Sequence, residues 1–431
     1  MRKIKWVENA LFYHIYPLGA FDCPRENKGE ETSGHRILKL IDWLPHLKNI
    51  GVTAIYLGPI WESGTHGYDT YDYFKLDRRL GDNDDLKRVI NNCHENDIKV
   101  VLDGVFNHIG RGHKAFMDIL KNREQSNYKD WISGLNFGGN NYYNDGLSYD
   151  CWAGAQCLVK LNHYNENVNN HILEAVGMWI DEFDIDGLRL DAADCIQRDF
   201  FKKLKSYTES KKPDFWLMGE IIHGDYNIYV NEEMMDAVTN YECWKGIYSS
   251  HNDHNYFEIS YAMKRQWGKG GLYSGKYLYN FLDNHDVNRI YTLLKEKESI
   301  FTVYTLLFTM PGIPSIYYGS EWAIEGDKNS GDGDYALRPA LDIEKMKDVN
   351  TDLIEHIKML AYIRTTSNAI KYGEYEEVQV RNETIVFARA LENECAIVAL
   401  NSTNSAKQIS FDYRGEHYEV ELPPYGSKIW K

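Results

Sequence analysis

The sequence predicts a (β/α)8 barrel, and three observations support this prediction. Short runs of β-branched and aromatic residues alternate with helical patterns, as expected for a parallel sheet whose strands are joined by helices. Eight such runs occur within a chain of 431 residues, a length that this barrel commonly has. Polar residues follow several runs at the point where a strand should end. A doubly wound open sheet is the alternative on pattern alone.

Each of the eight runs has the length and composition of a buried strand. Between them, the segment 196–210 repeats apolar residues at spacings of three and four, which marks one face of a helix that packs on the sheet. The predicted strands cover residues 10–17, 52–58, 99–105, 185–190, 215–221, 236–240, 276–282 and 313–318.

A long irregular segment follows the third strand. Residues 109–162 are rich in Gly, Asn and Tyr and contain GLNFGGNNYYNDGLSYD. Irregular connections longer than about 12–15 residues are usually functional. We therefore predict an inserted subdomain over 109–162 at the mouth of the barrel, and we assign the barrel itself to residues 1–108 and 163–368.

The pattern changes again at about residue 370, where helical periodicity gives way to strands with alternating side chains. The runs EEVQV, TIVFARA, CAIVAL, KQISFDY and YEVELPP are separated by short turns. Residues 369–431 are therefore predicted to form a small antiparallel, sandwich-like β domain packed on the barrel.

The composition disfavours several classes of function. The chain has 48 Lys and Arg against 64 Asp and Glu, a formal net charge of −16, which repels nucleic acids and anionic lipid surfaces. No apolar stretch of about 18 residues is present, so no membrane-spanning helix is expected. The seven cysteines form no C-x-x-C pair, which disfavours a disulfide framework or a zinc ribbon. No signal peptide is visible, so we expect a cytoplasmic protein.

Acidic and imidazole side chains close four of the predicted strands. Active sites of (β/α)8 barrels lie at the carboxyl ends of the strands. Carboxylates that directly follow apolar strand residues are costly to bury unless they are paired or functional. The four motifs are DGVFNH (103–108), GLRLDAAD (187–194), GEIIH (219–223) and FLDNHD (281–286).

In order and spacing, these motifs resemble the four conserved-sequence regions of the α-amylase family of glycoside hydrolases. Two more segments resemble that family, GYDTYDYFKLD (67–77) before the third strand and GIPSIYYGSE (312–321) at the eighth. The likeness extends from about residue 10 to residue 366. The resemblance implies a barrel enzyme that acts on α-glucans.

The resemblance also implies roles for individual residues. Asp191 would be the nucleophile, Glu220 the general acid/base and Asp286 the stabiliser of the transition state. Tyr68 would stack under the reacting sugar. Asn107 matches a family position that often ligates structural Ca²⁺, an ion that needs 6–8 oxygen ligands, and the sequence does not identify its partners. Further substrate-binding residues would be His108, Arg189 and His285.

The chemistry of retaining glycoside hydrolysis requires these residue types independently of the resemblance. One ionised carboxylate attacks the anomeric carbon, and one protonated carboxyl donates to the leaving oxygen, about 5–5.5 Å away. Arg189 lies two residues before Asp191, so on a strand both would point to one face and the guanidinium would keep Asp191 ionised. The charges of Asp191 and Asp286 would hold Glu220 in its protonated form.

One position separates subgroups of the family. α-Amylases frequently carry Lys three residues after the nucleophile, where it faces the leaving-group sugar, whereas this chain has Asp194. Cyclomaltodextrinase and neopullulanase relatives often have Glu there, and GEIIHGD (219–225) and LVKLN (158–162) also look like that group. Asp194 and His223 are accordingly assigned to substrate binding. Those relatives usually carry an extra N-terminal β domain used in dimerisation, so the oligomeric state stays open.

The expected function is hydrolysis of α-1,4-glucosidic bonds in maltodextrins or starch-type α-glucans, with retention and without a cofactor for the chemistry. The alternative is a cyclomaltodextrinase- or neopullulanase-type enzyme, or one that transfers the glycosyl group to a sugar. A third reading is a non-catalytic carbohydrate-binding protein on the same fold. Such proteins typically lose carboxylates, and this sequence retains all three.

Overall fold

A computed structural model of the protein describes residues 4–29 and 34–431. Its strands, in chain order, are β1 (Phe12–Ile15), β2 (Ala54–Leu57), β3 (Trp61–Ser63), β4 (Thr70–Leu76), β5 (Lys99–Gly104), β6 (His108–Gly110), β7 (Cys151–Trp152), β8 (Ala155–Lys160), β9 (Gly187–Leu190), β10 (Trp216–Gly219), β11 (Ala237–Val238), β12 (Tyr279–Phe281), β13 (Ile313–Tyr317), β14 (Glu374–Val380), β15 (Thr384–Ala390), β16 (Cys395–Asn401), β17 (Lys407–Tyr413), β18 (Glu416–Leu422) and β19 (Ser427–Trp430).

Helices follow most of the barrel strands. In chain order they are α1 (Lys5–Glu8), α2 (Pro17–Ala20), α3 (Lys39–Asn49), α4 (Asn83–Glu95), α5 (Lys114–Asn122), α6 (Glu166–Phe183), α7 (Arg198–Lys211), α8 (Tyr241–Asn252), α9 (Phe257–Trp267), α10 (Ile290–Leu293), α11 (Ile300–Thr309), α12 (Ile343–Met346), α13 (Thr351–Thr366) and α14 (Asn368–Tyr372). Within the described part of the chain, none of these helices combines the length and the apolar composition needed to cross a bilayer.

Eight parallel strands form the barrel, in the order β11-β10-β9-β5-β2-β1-β13-β12. A parallel bridge between Thr239, just after β11, and Tyr279 of β12 joins the two ends of this sheet. The strands are buried on both faces, which explains why they read as continuous apolar runs rather than as alternating ones. The (β/α)8 prediction is confirmed. The alternative of an open sheet is excluded, because the edge strands of an open sheet are not paired, whereas here the bridge between Thr239 and Tyr279 closes the sheet.

The strands coincide with the eight predicted runs but are shorter. The run predicted over 10–17 keeps four residues as β1, and that over 236–240 keeps two as β11. The excess residues lie in the loops at the strand ends, where several of them line the site described below. The predicted amphipathic helix over 196–210 is observed as α7, which begins two residues later.

Two smaller β structures flank the barrel. In the segment after β5, β6, β8 and β7 form a three-stranded antiparallel sheet, with α5 inserted between β6 and β7. At the C-terminal end, a four-stranded sheet β14-β15-β16-β19 packs against the hairpin β17-β18 through a shared apolar core. Helix α14 extends to Tyr372, and the first strand of this part, β14, begins at Glu374, two residues before the predicted run EEVQV.

His113 makes stability depend on pH. Its side chain is 1% exposed and caps α5 by accepting a hydrogen bond from the Ala115 amide at 3.2 Å. Burial lowers the pKa of His113 to about 3. Between this pKa and the value of about 6.5 in an unfolded chain, the unfolded state binds a proton that the folded state does not. Stability is therefore lost as the pH falls through that window.

We expect His113→Asn to reduce this loss. Asn is a strong N-cap, so the cap is kept while the titrating group is removed. Between pH 7 and pH 5 the variant should lose about 2 kcal/mol less unfolding free energy than the unmodified protein. Urea unfolding of both proteins at both pH values measures the difference. Equal losses in the two proteins would contradict the assignment.

Candidate active site

The site lies at the carboxyl ends of neighbouring barrel strands. Asp103 is in β5, while Asp191 and Glu220 are the residues that directly follow β9 and β10. The three strands are adjacent in the sheet, and Arg189 of β9 pairs in register with Asp103 of β5 and with Met218 of β10. Residues in register on parallel strands point to the same face. The strand ends therefore bring these side chains together.

Arg189 is the centre of the arrangement. Its side chain is 3% exposed. Its Nη1 donates to Asp103 Oδ1 and Oδ2 at 2.8 and 2.9 Å and to Asp191 Oδ1 at 2.9 Å. Its Nη2 lies 2.8 Å from Glu220 Oε2. One planar guanidinium therefore holds three carboxylates, and it places Asp191 beside Glu220.

Removal of this cation should destabilise the protein strongly. In Arg189→Met the three carboxylates lose their shared counter-ion in a buried setting, which costs about 3–5 kcal/mol of unfolding free energy. The double variant Arg189→Met/Asp103→Asn should recover part of the loss, because one of the uncompensated charges is gone. Urea unfolding measures both. A single variant as stable as the unmodified protein, or a double variant that recovers nothing, would contradict the role of Arg189 as the shared counter-ion.

The pKa of Asp191 differs from the expectation that the Arg189 guanidinium keeps this carboxylate ionised. Burial raises the pKa of Asp191, Arg189 acts in the opposite direction, and the charges of Glu220, Asp103 and Asp286 raise it further. Arg189 alone therefore does not hold Asp191 ionised. Because Asp191 is packed among other carboxylates, this cluster retains a proton more readily than an exposed carboxylate would.

Glu220 is held from several directions. Its Oε2 accepts a hydrogen bond from the Ala192 amide at 3.0 Å in addition to the Arg189 contact. Its Oε1 lies 3.5 Å from the hydroxyl of Tyr241, which in turn accepts from Asn284 at 3.0 Å. The side chain keeps 13% of its surface exposed, so it remains accessible to a ligand.

Asp286 and His285 form the opposite wall. His285 Nε2 lies 3.0 Å from Asp286 Oδ2 and also contacts the Tyr68 hydroxyl. Arg338 Nη2 lies 3.2 Å from Asp286 Oδ1. Although burial opposes it, the contacts with His285 and Arg338 lower the pKa of Asp286, so this carboxylate stays ionised. Tyr68 stacks on His285 with ring centroids 5.4 Å apart, and its hydroxyl donates to Asp103 at 3.1 Å.

His108 and Asn107 lie at the start of the inserted subdomain. Both are buried, and Asn107 Nδ2 contacts His108 Nδ1 at 3.1 Å. Burial lowers the pKa of His108 to about 3, so its imidazole is neutral at physiological pH. The indole of Trp152, on the β7–β8 hairpin, lies 6.0 Å from the His108 ring.

Two predicted substrate-binding residues lie apart from this cluster. Asp194 and His223 are exposed on the loops after β9 and β10, and in the described residues neither contacts Asp191, Glu220 or Asp286. A position a few residues past a strand end does not specify whether the side chain turns inward. The structure therefore does not bring them together with the buried carboxylates.

Besides Asp103, which contacts Arg189 and Tyr68, three further residues lie at the site that were assigned no role from the sequence. Arg338 lies in an irregular loop, in DKNSGDGDYALR, and only its position in space brings it to Asp286. Tyr241 begins helix α8, and its sequence context resembles that of an ordinary core aromatic. Trp152 is 40% exposed in the structure. In the sequence its one signal is its place in YDCWAGAQC, a polar stretch of the inserted segment.

The described residues give limited support for a calcium site at Asn107. Its Oδ1 is buried without a hydrogen-bond partner, as a ligand oxygen would be. Its backbone carbonyl already accepts from the Leu161 amide. Among residues 4–29 and 34–431, the one cluster of at least three His, Cys, Asp or Glu ligand atoms is that of His35, Asp82 and Asp85, which does not include Asn107.

A closed (β/α)8 barrel with carboxylates gathered around one arginine at the strand ends has the architecture of a barrel glycoside hydrolase. The model of the alpha amylase catalytic domain matches residues 34–357. The chain therefore belongs to the alpha-amylase family.

Two proteins of known name and one solved structure are similar to this chain over most of its length. A cyclomaltodextrinase of a Bacillus species is 30% identical, over 92% of this chain and 73% of that protein. An intracellular maltogenic amylase of Bacillus subtilis is 29% identical, over 94% of this chain and 70% of that protein. The ligand-free structure of the cyclic alpha-maltosyl-(1→6)-maltose hydrolase of Arthrobacter globiformis is 26% identical, with a TM-score of 0.86 and 99% of each chain covered.

Proposed function

We propose that this protein hydrolyses α-1,4-glucosidic bonds of maltodextrins and related α-glucans with retention of configuration. The observation that carries the proposal is the single guanidinium of Arg189, which contacts Asp191 at 2.9 Å and Glu220 at 2.8 Å. Two carboxyl groups side by side at the mouth of the barrel supply both a nucleophile and a proton donor. Family membership supports the class of reaction.

In the proposed first step, an oxygen of Asp191 attacks the anomeric carbon while Glu220 donates its proton to the glycosidic oxygen. The bond to the leaving sugar breaks, and a covalent glycosyl–Asp191 ester forms. In the second step Glu220 takes a proton from water, the resulting hydroxide attacks the same carbon, and Asp191 is released. For this step the proton of the carboxyl pair must lie on Glu220 and Asp191 must be ionised.

Asp286 and His285 would act on the sugar as positive charge develops on it. Asp286 is ionised, and hydrogen bonds that the sugar hydroxyls donate to a carboxylate strengthen in the oxocarbenium-like transition state. Tyr68 lies beside them with its ring parallel to His285, at an angle of 12°. An aromatic face in this place suits the apolar face of a glucosyl unit.

The anomeric form of the first product tests the proposal. Proton NMR during the first minutes of maltotriose hydrolysis should show the α-anomer, which later mutarotates. Initial release of the β-anomer would mean inversion and would overturn the assignment of Asp191. Release of no reducing sugar from maltotriose, starch or cyclodextrin would favour the non-catalytic carbohydrate-binding reading.

A second candidate substrate is a cyclic maltooligosaccharide. Its support is the cyclic alpha-maltosyl-(1→6)-maltose hydrolase, which matches this chain over 99% of both lengths. Turnover of that cyclic tetrasaccharide, β-cyclodextrin and a linear maltooligosaccharide, measured side by side, ranks the candidates. Product chromatography from pure maltotriose detects transfer, since chains longer than three units arise only when a sugar replaces water.

Structural calcium and an intracellular location are secondary proposals. The support for calcium is the unpartnered Oδ1 of Asn107. If calcium binds there, addition of CaCl₂ after chelation should raise the melting temperature of the protein but not that of an Asn107→Ala variant. The support for the location is the relative named an intracellular maltogenic amylase, and fractionation of the producing cells tests it.

A further inference from the structure

A small cavity lies inside the barrel, next to the carboxylate cluster. Its volume is about 20 Å³, and its lining comes from six of the eight barrel strands and the loops that follow them. A volume of about 10–15 Å³ on this scale suffices for one water molecule. Residues on its wall include His14 of β1, Arg189 of β9, His285 after β12 and Ser315 of β13.

Two of these residues carry unpartnered ring nitrogens. His14 Nε2 and His285 Nδ1 are buried, and neither has a hydrogen-bond partner. The two side chains are each 2% exposed, and their rings meet edge to face with centroids 5.2 Å apart and an angle of 90°. Buried polar atoms without partners are costly and therefore rare. Two of them on the wall of one cavity point to a shared ligand.

Water fits this cavity better than a cation. A water molecule both donates and accepts, so it satisfies two imidazole nitrogens in either tautomer. A cation would meet the guanidinium of Arg189, which lines the same cavity. The two carboxyl groups on this lining are already engaged, that of Glu220 by Arg189 and that of Asp283 by Ser320. Burial, together with the charges of His285 and Arg189, lowers the pKa of His14, so His14 is neutral and offers one N–H and one lone pair.

At the ring edge that carries Nδ1, His285 has no hydrogen bond to a described residue that would fix its orientation. Tyr68 and Tyr16 stack on the ring at 5.4 and 5.8 Å, with angles of 12° and 21°. Stacked rings slide and turn in their own plane, and Nε2 is already engaged with Asp286 and Tyr68. A contact at Nδ1 would hold the opposite edge of the ring and so limit the rotation that changes how Nε2 meets Asp286.

We propose that one water molecule binds between His14 Nε2 and His285 Nδ1, and that His14 is a positioning residue that acts through this water. His14 itself does not touch the substrate. Its effect on the reaction passes from the water to His285 and from His285 to Asp286. The catalytic part of this inference rests on the proposed function, whereas the hydration site does not.

A crystal structure of the full chain that resolves ordered water tests the site directly. We expect a density peak in the cavity within hydrogen-bond distance of both nitrogens. A dry cavity, or rings that turn to other partners, would overturn the hydration site and with it the positioning role. This result is independent of whether the protein hydrolyses any glucan.

Kinetics of three variants test the positioning role. His14→Leu removes the ring nitrogen, His14→Gln supplies an amide of similar reach, and Met218→Leu changes an apolar residue on the same cavity wall. A misplacement of about 1 Å costs on the order of 100-fold in rate, so His14→Leu should lower kcat about 10–100-fold and change KM less than about threefold. His14→Gln and Met218→Leu should stay within about threefold of the unmodified protein.

A structural role would give a different pattern. If His14 only fills space, His14→Gln and His14→Leu would be equally impaired, or both would keep full kcat, and either result would overturn the positioning role. If His14→Leu does not fold, the comparison of His14→Gln with Met218→Leu and the crystallographic result decide. An unmodified protein that turns over no glucan would instead refute the proposed function and leave the crystallographic test intact.

Discussion

Asp191→Asn should lower kcat on maltodextrins by about 10⁴-fold or more while the protein remains folded. The amide is a poor nucleophile, and loss of a nucleophile that no other group replaces costs on this order or more. The amide oxygen can still accept the hydrogen bond that Asp191 Oδ1 receives from Arg189 at 2.9 Å. Since burial raises the pKa of Asp191, the neutral side chain should leave the melting temperature unchanged or raise it.

Initial rates on maltotriose, together with thermal unfolding, measure both effects. Asp199→Asn is a matched control, because Asp199 is an exposed carboxylate at the start of α7, eight residues along the chain. This control should keep its rate within about twofold, as surface changes away from a site usually have small effects. Turnover above one hundredth of the normal rate in Asp191→Asn would refute Asp191 as the nucleophile.

Glu220→Gln should show a loss that depends on the leaving group. General acid catalysis contributes about 10²–10⁴-fold, so hydrolysis of maltotriose should fall by about that factor. An α-glucosyl fluoride releases fluoride without needing a proton, so formation of the glycosyl-enzyme from it should be affected far less. Added azide, which attacks without a general base, should restore turnover by forming an α-glucosyl azide.

Measurement of kcat/KM for both substrates separates this role from a structural one. Glu233→Gln is the control, since Glu233 is an exposed acid whose side chain is 71% accessible and pairs with Lys202. Equal losses on maltotriose and on the fluoride, with no response to azide, would contradict the assignment of Glu220 as the proton donor.

The barrel and the centre of the site were predictable from the sequence, because they depend on strand order and strand ends. Asp191 and Glu220 each directly follow a strand, and neighbouring parallel strands end at the same edge. Arg189 precedes Asp191 by two residues, and the alternation of side chains on a strand places both on one face, where they meet at 2.9 Å.

The other features of the site depend on the conformation of loops, and loop sequences show no periodic pattern from which that conformation could be predicted. Arg338 reaches Asp286 across 52 residues of sequence, through an irregular segment. Asp194 and His223 are near strand ends in the sequence, yet both are exposed and lie apart from the buried carboxylates. The burial that raises the pKa of Asp191 is a property of the assembled cluster, so adjacency to Arg189 alone gave the opposite expectation.

Capture of the covalent intermediate tests the central claim most directly. The Glu220→Gln variant, incubated with a 5-fluoro-α-glucosyl fluoride, should accumulate protein heavier by one fluoroglucosyl unit. Peptide mass spectrometry should place the label on Asp191. A label on another residue, or no label together with products of inverted configuration, would contradict Asp191 as the nucleophile of a retaining α-glucan hydrolase.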